Sequence, residues 1–201
     1  MPPKQRFCAQ DVAEAAFAVV RREGWKGLSA RTIAAELNAS TRPIYDHLKS
    51  MQAIEEAVVR QALDLFLEYL GKPETGDIWL DQALGYIRFA NEEKHLFRCI
   101  NDERHMPIQK KLTRPMWLAL GERLNDDPRF QALPAELKNR IRVMRWFFLH
   151  GMASLINNEW FTISDDDAHL MTEMMKRNLR QMLRDINEVV YEGFRHKAAL
   201  G

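Results

Sequence analysis

The chain has 201 residues, of which 46% are hydrophobic and 28% charged, a composition that is typical of globular proteins and argues against a disordered chain. Its net charge of only +1 argues against a protein that coats nucleic acid through bulk electrostatics. No apolar run follows the first residues, and no window reaches the roughly 18 uncharged apolar residues that a membrane helix requires, so the sequence predicts a soluble, cytoplasmic protein.

Apolar residues recur at helical spacing along nearly the whole chain, which predicts an all-α fold. The first helix is expected at about 9–23, with an apolar face beginning at Val12 and a stop at Gly24. The second is expected to begin after Ser29, which has the chemistry of an N-cap, and to end at Asn38, which can adopt the left-handed conformation.

A third, short helix is predicted to begin at Ser40, only two residues after the second ends. Ile44 and Leu48 give it one apolar face, and Pro43 is tolerated because it falls in the first turn. Two short helices joined in this way, the second with a polar face left over, form a helix-turn-helix whose second helix can enter the major groove. On spacing alone, a capped helical hairpin on the surface of an all-α domain explains the pattern equally well.

Further helices are predicted at about 52–70, 78–93, 95–104, 108–125, 135–158 and 166–194, which makes about nine in total. The stretch 71–76, which contains two glycines and a proline, is the clearest break in the chain and a candidate domain boundary.

The N-terminal quarter of the chain, roughly 9–54, contains the segments Val12-Ala-Glu-Ala-Ala16, Glu23-Gly24-Trp25, Leu28-Ser29, Ile33-Ala34, Leu37-Asn38-Ala39-Ser40 and Ile44-Tyr45-Asp46-His47-Leu48. In order and spacing, these segments resemble the DNA-binding domain of the TetR (tetracycline-repressor) family of transcriptional regulators. The resemblance implies a three-helix DNA-binding domain at 1–50 and an effector-binding and dimerisation domain at 51–201, connected by the helix at 52–70. It also implies a homodimer on a palindromic operator, with the two third helices in successive major grooves about 34–36 Å apart.

The residues expected to contact double-stranded DNA are Ser29, Ser40, Thr41, Arg42, Tyr45, His47 and Lys49. The resemblance implies a backbone contact for Ser29 and a phosphate contact for Tyr45. Arg42 is the first candidate for a bidentate contact with guanine; a phosphate contact or an intramolecular salt bridge is the alternative. His47 is assigned to a phosphate contact; a capping or packing role is the alternative. Residues 1–50 carry eight basic and five acidic side chains, a mildly basic balance that fits a phosphate-contacting module.

One position departs from the family pattern in a way that affects DNA binding. Met51 stands where the family usually has a phosphate-contacting lysine. Because a thioether cannot neutralise a phosphate, that contact is lost or transferred to Lys49, and we expect the salt dependence of DNA binding to be shallow.

The later helices are rich in methionine and aromatic residues, and the resemblance implies a pocket for a small apolar effector among them. The residues assigned to it are Tyr86, Phe89, Phe97, Trp117, Trp146, Phe147 and His150. For each of them a plain core role is the alternative. The helices at 135–158 and 166–194 are expected to pair across the dimer, through a seam of Phe147, Gly151, Leu155, Leu170, Met174, Leu179, Met182 and Ile186.

The sequence contains no enzymatic or metal-binding constellation: its six histidines are scattered, and neither HExxH, CxxC nor a glycine-rich phosphate loop occurs. We therefore expect no catalytic site, no metal and no cofactor. The predicted function is a sequence-specific DNA-binding transcriptional regulator, a repressor released from its operator by the effector. The alternatives are a TetR-like regulator without a small-molecule ligand and an all-α protein-interaction or scaffolding protein.

Overall fold

The computed structural model describes residues 7–42, 44, 50–122 and 127–160 and the single positions 181, 184, 188, 192 and 195. All regular structure in these residues is helical, which confirms the predicted all-α class. The seven α-helices of the described ranges are α1 (Ala9–Glu23), α2 (Ala30–Glu36), α3 (Met51–Gly71), α4 (Ile78–Glu92), α5 (Lys94–Ile100), α6 (Met106–Glu122) and α7 (Ala135–Asn157).

Two predicted helices lie largely outside the described residues. Of the third helix of the helix-turn-helix only its first residues and Ile44 are described, and of the helix at 166–194 only isolated positions. The predicted total of about nine helices therefore stays a prediction.

The C-terminus of α1 depends on glycine. Gly24 has φ +76°, a region that L side chains rarely adopt. His95 Nδ1 lies 2.9 Å from the place that a Cβ would occupy, so the available space also excludes a larger residue. The predicted helix end is confirmed, and a short 3₁₀ turn at Trp25–Gly27 follows it.

α2 begins with the predicted cap. The Thr32 amide donates to Ser29 Oγ at 3.1 Å, and the Ser29 amide donates to Thr32 Oγ1 at 2.9 Å. This reciprocal pair satisfies two amide donors that the helix itself leaves without partners. The turn after the helix contains Asn38 at φ +48°, as predicted, and it leads directly to the start of the third helix.

The chain packs as two compact units. Met1–Leu67 and Glu93–Thr113 form the first unit, which contains α1, α2, α5 and most of α3. Glu68–Glu92 and Arg114–Gly201 form the second, which contains α4, α7 and most residues of α6. The functional division at residue 50 stays a prediction.

In the first unit, α5 lies against α1. Glu93, the N-cap of α5, is buried and accepts from Arg21 Nε at 2.8 Å, while Arg21 Nη2 donates to its other carboxylate oxygen. Trp25 contacts the buried ring of His105 edge to face, with 4.2 Å between ring centroids. The residues that follow α1 are therefore tied to the chain around α5.

α5 is shorter than the predicted 95–104, because side chains end it early. Asn101 Nδ2 donates to the Phe97 carbonyl at 2.8 Å, which satisfies an acceptor at the helix end. Asp102 then accepts from the Arg104 amide at 3.0 Å and starts a separate 3₁₀ turn at Glu103–His105. α6 begins at Met106, two residues before the predicted start, since Pro107 is tolerated in a first turn.

In the second unit, α4 packs along α7. Trp79, Phe130 and Ile141 form a buried cluster between them and the loop before α7. Gly85 lets the Tyr69 carbonyl approach so closely that a Cβ at position 85 would overlap it. Asn157 Nδ2 donates to the Ala90 carbonyl at 2.9 Å, which ties the C-terminus of α7 to α4.

Candidate nucleic-acid interface and ligand-binding cluster

The described residues at the start of the predicted third helix present polar groups to solvent. Ser40, Thr41 and Arg42 are exposed, while Ile44 is fully buried as the predicted apolar face requires. Arg42 forms no hydrogen bond or ion pair with another described residue. None of the described residues therefore competes with a phosphate or a base edge for this guanidinium.

Ser29 is already engaged as the cap of α2. Its hydroxyl accepts from the Thr32 amide and lies 3.1 Å from the Thr32 hydroxyl, and its side chain is half-buried. The predicted backbone contact of Ser29 would therefore be made by a hydroxyl that also stabilises the helix start. The other predicted contacts, Tyr45, His47 and Lys49, lie outside the described residues.

Salt bridges join the two helices that support this region. Arg22 Nη2 on α1 lies 3.0 Å from Glu36 Oε2 on α2 and 2.9 Å from Glu23 Oε1. The hydrogen bond with Glu36 makes the largest contribution to the raised pKa of Arg22. The pair is exposed to solvent, so its effect on stability is small.

The second unit brings five of the seven predicted effector residues into one chain of contacts. The Tyr86 hydroxyl is hydrogen-bonded to His150 Nδ1 at 3.0 Å. The His150 ring lies 5.9 Å from that of Trp146, which in turn lies 6.2 Å from Trp117 and 5.2 Å from Phe147. We call these five residues the aromatic cluster.

Burial controls the protonation of the polar members of this cluster. It raises the pKa of Tyr86 to about 12, against a smaller opposite effect of a hydrogen bond with Trp146. It lowers the pKa of His150. Both groups are therefore neutral at pH 7 and act as hydrogen-bonding groups rather than as charges.

The other two predicted effector residues lie elsewhere. Phe89 is fully buried on α4 and contacts Tyr69 with 5.4 Å between ring centroids. Phe97 is buried on α5 in the first unit.

A separate cavity of about 70 Å³ lies in the second unit, between Trp79, Phe130 and neighbouring charged side chains. Ligand pockets for drug-sized molecules are several times larger, roughly 300–1,000 Å³. This cavity does not suit such an effector.

None of the described helices has the length and the apolar character that spanning a membrane requires. Nowhere in the described ranges do three or more His, Cys, Asp or Glu side chains come together as metal ligands.

Three solved structures share this architecture across 92% of the chain. The multidrug binding protein EbrR, complexed with imidazole, matches with a TM-score of 0.55 and 20% identity over 95% of its own chain. A TetR-family member from Streptomyces coelicolor matches with a TM-score of 0.52 and 20% identity over 98% of its own chain. A protein from Mesorhizobium loti, assigned to the TetR family of transcriptional regulators, matches with a TM-score of 0.53 and 17% identity over 94% of its own chain. The chain has the TetR fold.

The resemblance seen in the first quarter of the sequence is thus confirmed at the level of architecture. No protein-family model matches the sequence, and no curated protein is similar to it at a significant level. The TetR fold is therefore recognised here through helix order and geometry rather than through overall sequence similarity.

Sequence reasoning missed two arginines on α7 that point inward within this TetR fold, the buried Arg145 and the half-buried Arg142. Arg145 is only 7% exposed; its Nη2 donates to the Trp79 carbonyl, and burial lowers its pKa to about 9. Arg142 donates to the Trp117 carbonyl and stacks on the Trp117 ring at 4.3 Å. The sequence feature that could have indicated their burial is their position near the apolar Ile141, which is buried, whereas the third arginine of α7, Arg140, is exposed.

Proposed function

We propose that the chain is a sequence-specific DNA-binding transcriptional regulator. Residues 1–50 form the DNA-binding domain, and residues 51–201 form the effector-binding and dimerisation domain. The observation that carries this proposal is Arg42, which is exposed, pairs with no other described residue and lies between the turn at Asn38 and the buried Ile44. The TetR fold of the chain supports the same conclusion.

The third helix reads base edges in the major groove. Arg42 donates to guanine O6 and N7, a bidentate contact worth about 1–3 kcal/mol of discrimination against the wrong base. Tyr45 and Lys49 contact phosphates, which position the helix without reading sequence.

Selection of bound sequences from random duplex DNA tests this function. The wild type is expected to enrich a palindromic site, and the double variant Arg42→Ala, Tyr45→Phe to lose or weaken it. Arg140→Ala is the matched control, since Arg140 is an exposed arginine paired with Glu136 on α7. No enrichment with a folded wild type, or equal enrichment by the double variant, would contradict DNA recognition by this helix and favour the scaffolding alternative.

The protein is a homodimer that pairs through α7 and the helix at 166–194. On α7, Phe147 is 62% exposed, and Gly151 and Leu155 are exposed on the same side. Exposed aromatic surface of this kind is typical of an interface. The remaining seam residues of the prediction lie outside the described residues.

Light scattering on a sizing column tests this dimer. Phe147→Glu is expected to give a monomer at micromolar concentration. Ile78→Glu is the matched control, because Ile78 is equally exposed, at 60%, and lies on α4. A monomeric wild type, or a dimer that survives Phe147→Glu, would remove α7 from the interface.

The regulator is a repressor that a small effector releases from its operator. The effector binds at the aromatic cluster, where Trp146 is 42% exposed and the Tyr86–His150 hydrogen bond supplies polar groups. By linkage, the effector binds the DNA-incompetent state more tightly, and operator DNA weakens effector binding by the same factor. Operator affinity that stays unchanged at saturating effector would contradict this regulation.

A further inference from the structure

One row of side chains on α7 lies along the aromatic cluster. Arg142, Trp146 and His150 are spaced at i, i+4 and i+8, so they share one face of the helix. Arg142 and His150 are half-buried, and Trp146 between them is partly exposed. The row thus combines one cation, one indole and one neutral imidazole.

Among the described residues, Arg142 contacts neutral groups. Its Nη2 donates to the Trp117 carbonyl, and its guanidinium carbon lies 4.3 Å from the centroid of the Trp117 ring. No carboxylate among the described residues pairs with it. Burial lowers the pKa of Arg142.

Other arginines of the same unit have carboxylate partners. Arg88, which is half-buried like Arg142, pairs with Glu74, and the exposed Arg129 and Arg140 pair with Asp77 and Asp127 and with Glu136 respectively. A half-buried cation without a counter-ion is costly to maintain. Arg142 thus offers several hydrogen-bond donors beside an aromatic surface. None of the five residues of the aromatic cluster is acidic.

We propose that the effector is an anion, a carboxylate on an aromatic body, whose carboxylate pairs with Arg142 while its ring packs on Trp146. This identification rests on the proposed function, in which the aromatic cluster receives the effector. A planar guanidinium matches a carboxylate through two parallel hydrogen bonds, which an ammonium or a neutral amide group does not reproduce. A cationic ligand is disfavoured because it would approach the like charge of Arg142, and no carboxylate among the described residues pairs with Arg142.

Gly121 on α6 has no side chain, and this leaves room for the guanidinium of Arg142. A Cβ at this position would overlap Arg142 Nη1, the flexible end of that side chain. Gly121→Ala therefore displaces the guanidinium from Trp117 without removing its charge. This variant tests the position of the cation, whereas Arg142→Gln tests its presence.

Calorimetry on the purified full-length protein tests the proposal, with indole-3-acetate and 2-naphthoate as probes and their primary amides as neutral counterparts. At least one acid is expected to bind the wild type at least tenfold more tightly than its amide. Arg142→Gln removes that preference and Gly121→Ala reduces it. Arg140→Gln is the matched control and keeps it, because Arg140 is exposed and already paired.

Three results would overturn the proposal: equal affinity for acid and amide, no binding of either acid at millimolar concentration, or an acid preference that survives both Arg142→Gln and Gly121→Ala. Thermal unfolding of each variant checks that it is folded, and the comparison of acid with amide on the wild type does not depend on any variant. Because the readout needs no DNA, its failure is distinct from a failure of operator binding.

Discussion

The Tyr86 hydroxyl lies 3.0 Å from His150 Nδ1, a hydrogen bond that joins α4 to α7 within the aromatic cluster. Tyr86 is 64 positions before His150, so the bond depends entirely on how the two helices pack. Since burial favours the neutral imidazole, protonation of His150 in acid should disturb this contact.

Stability should therefore fall in mild acid. The pKa of His150 is lower in the folded chain than its ordinary value of about 6.5, so the unfolded state binds the proton more readily. The contribution of the neutral ring is complete above about pH 6.5 and is lost as the pH falls through the folded value. Urea unfolding at pH 7 and pH 5 should show a larger loss for the wild type than for His150→Gln. Tyr86→Phe, which keeps the buried ring, should retain the pH dependence; an identical loss in all three would contradict this account.

The ion pair between Arg21 and Glu93 should matter more than a surface pair. Glu93 is 7% exposed, and Arg21→Met would leave this buried carboxylate without the guanidinium that now binds both its oxygens. We expect a loss of about 1–3 kcal/mol in the free energy of unfolding. Arg60→Met, which breaks the exposed pair with Glu56, should cost less than about 0.5 kcal/mol. Equal effects in urea denaturation would contradict the difference.

Replacement of Gly85 by alanine should destabilise the protein, whereas the same replacement at the helical Gly71 should not. A Cβ at Gly85 would overlap the backbone carbonyl of Tyr69, which cannot move without shifting α3. Gly85→Ala should lower the free energy of unfolding by about 1–3 kcal/mol. Gly71, at the end of α3, has nothing within 4 Å of its Cβ position, so Gly71→Ala should be neutral or slightly stabilising. A neutral Gly85→Ala would show that the two helices do not cross this closely.

The two thiols should differ sharply in reactivity. Cys8 is exposed, whereas Cys99 is buried and burial raises the pKa of its thiol to about 12. A disulfide reagent at pH 8 should therefore modify one thiol rapidly in the native protein and the second only after unfolding. Cys8→Ser should abolish the rapid phase, and Cys99→Ser should leave it intact. Rapid modification of both thiols would mean that the region around Cys99 opens readily.

The sequence was sufficient for the features that are set by local chemistry. Helical periodicity predicted the all-α class, and most boundaries agree within a few residues, because caps and stops such as Ser29, Gly24 and Asn38 act on their own neighbours. The same local spacing carried the resemblance to the TetR family. The early end of α5 escaped prediction because Asn101 and Asp102 compete with the helix through side-chain hydrogen bonds that periodicity does not register.

Only the tertiary structure decided which distant residues meet. From sequence alone, an arginine on a helix is expected to be exposed. In the structure, Arg142 is half-buried against Trp117 and Arg145 is buried against Trp79, because these positions of α7 face inward. The sequence likewise did not show which predicted effector residues contact one another. In the structure, Tyr86 is hydrogen-bonded to His150, and Phe97 lies in the other unit. Local sequence fixes where a helix begins and ends, but side-chain partners depend on long-range burial, and burial is a property of the assembled helices.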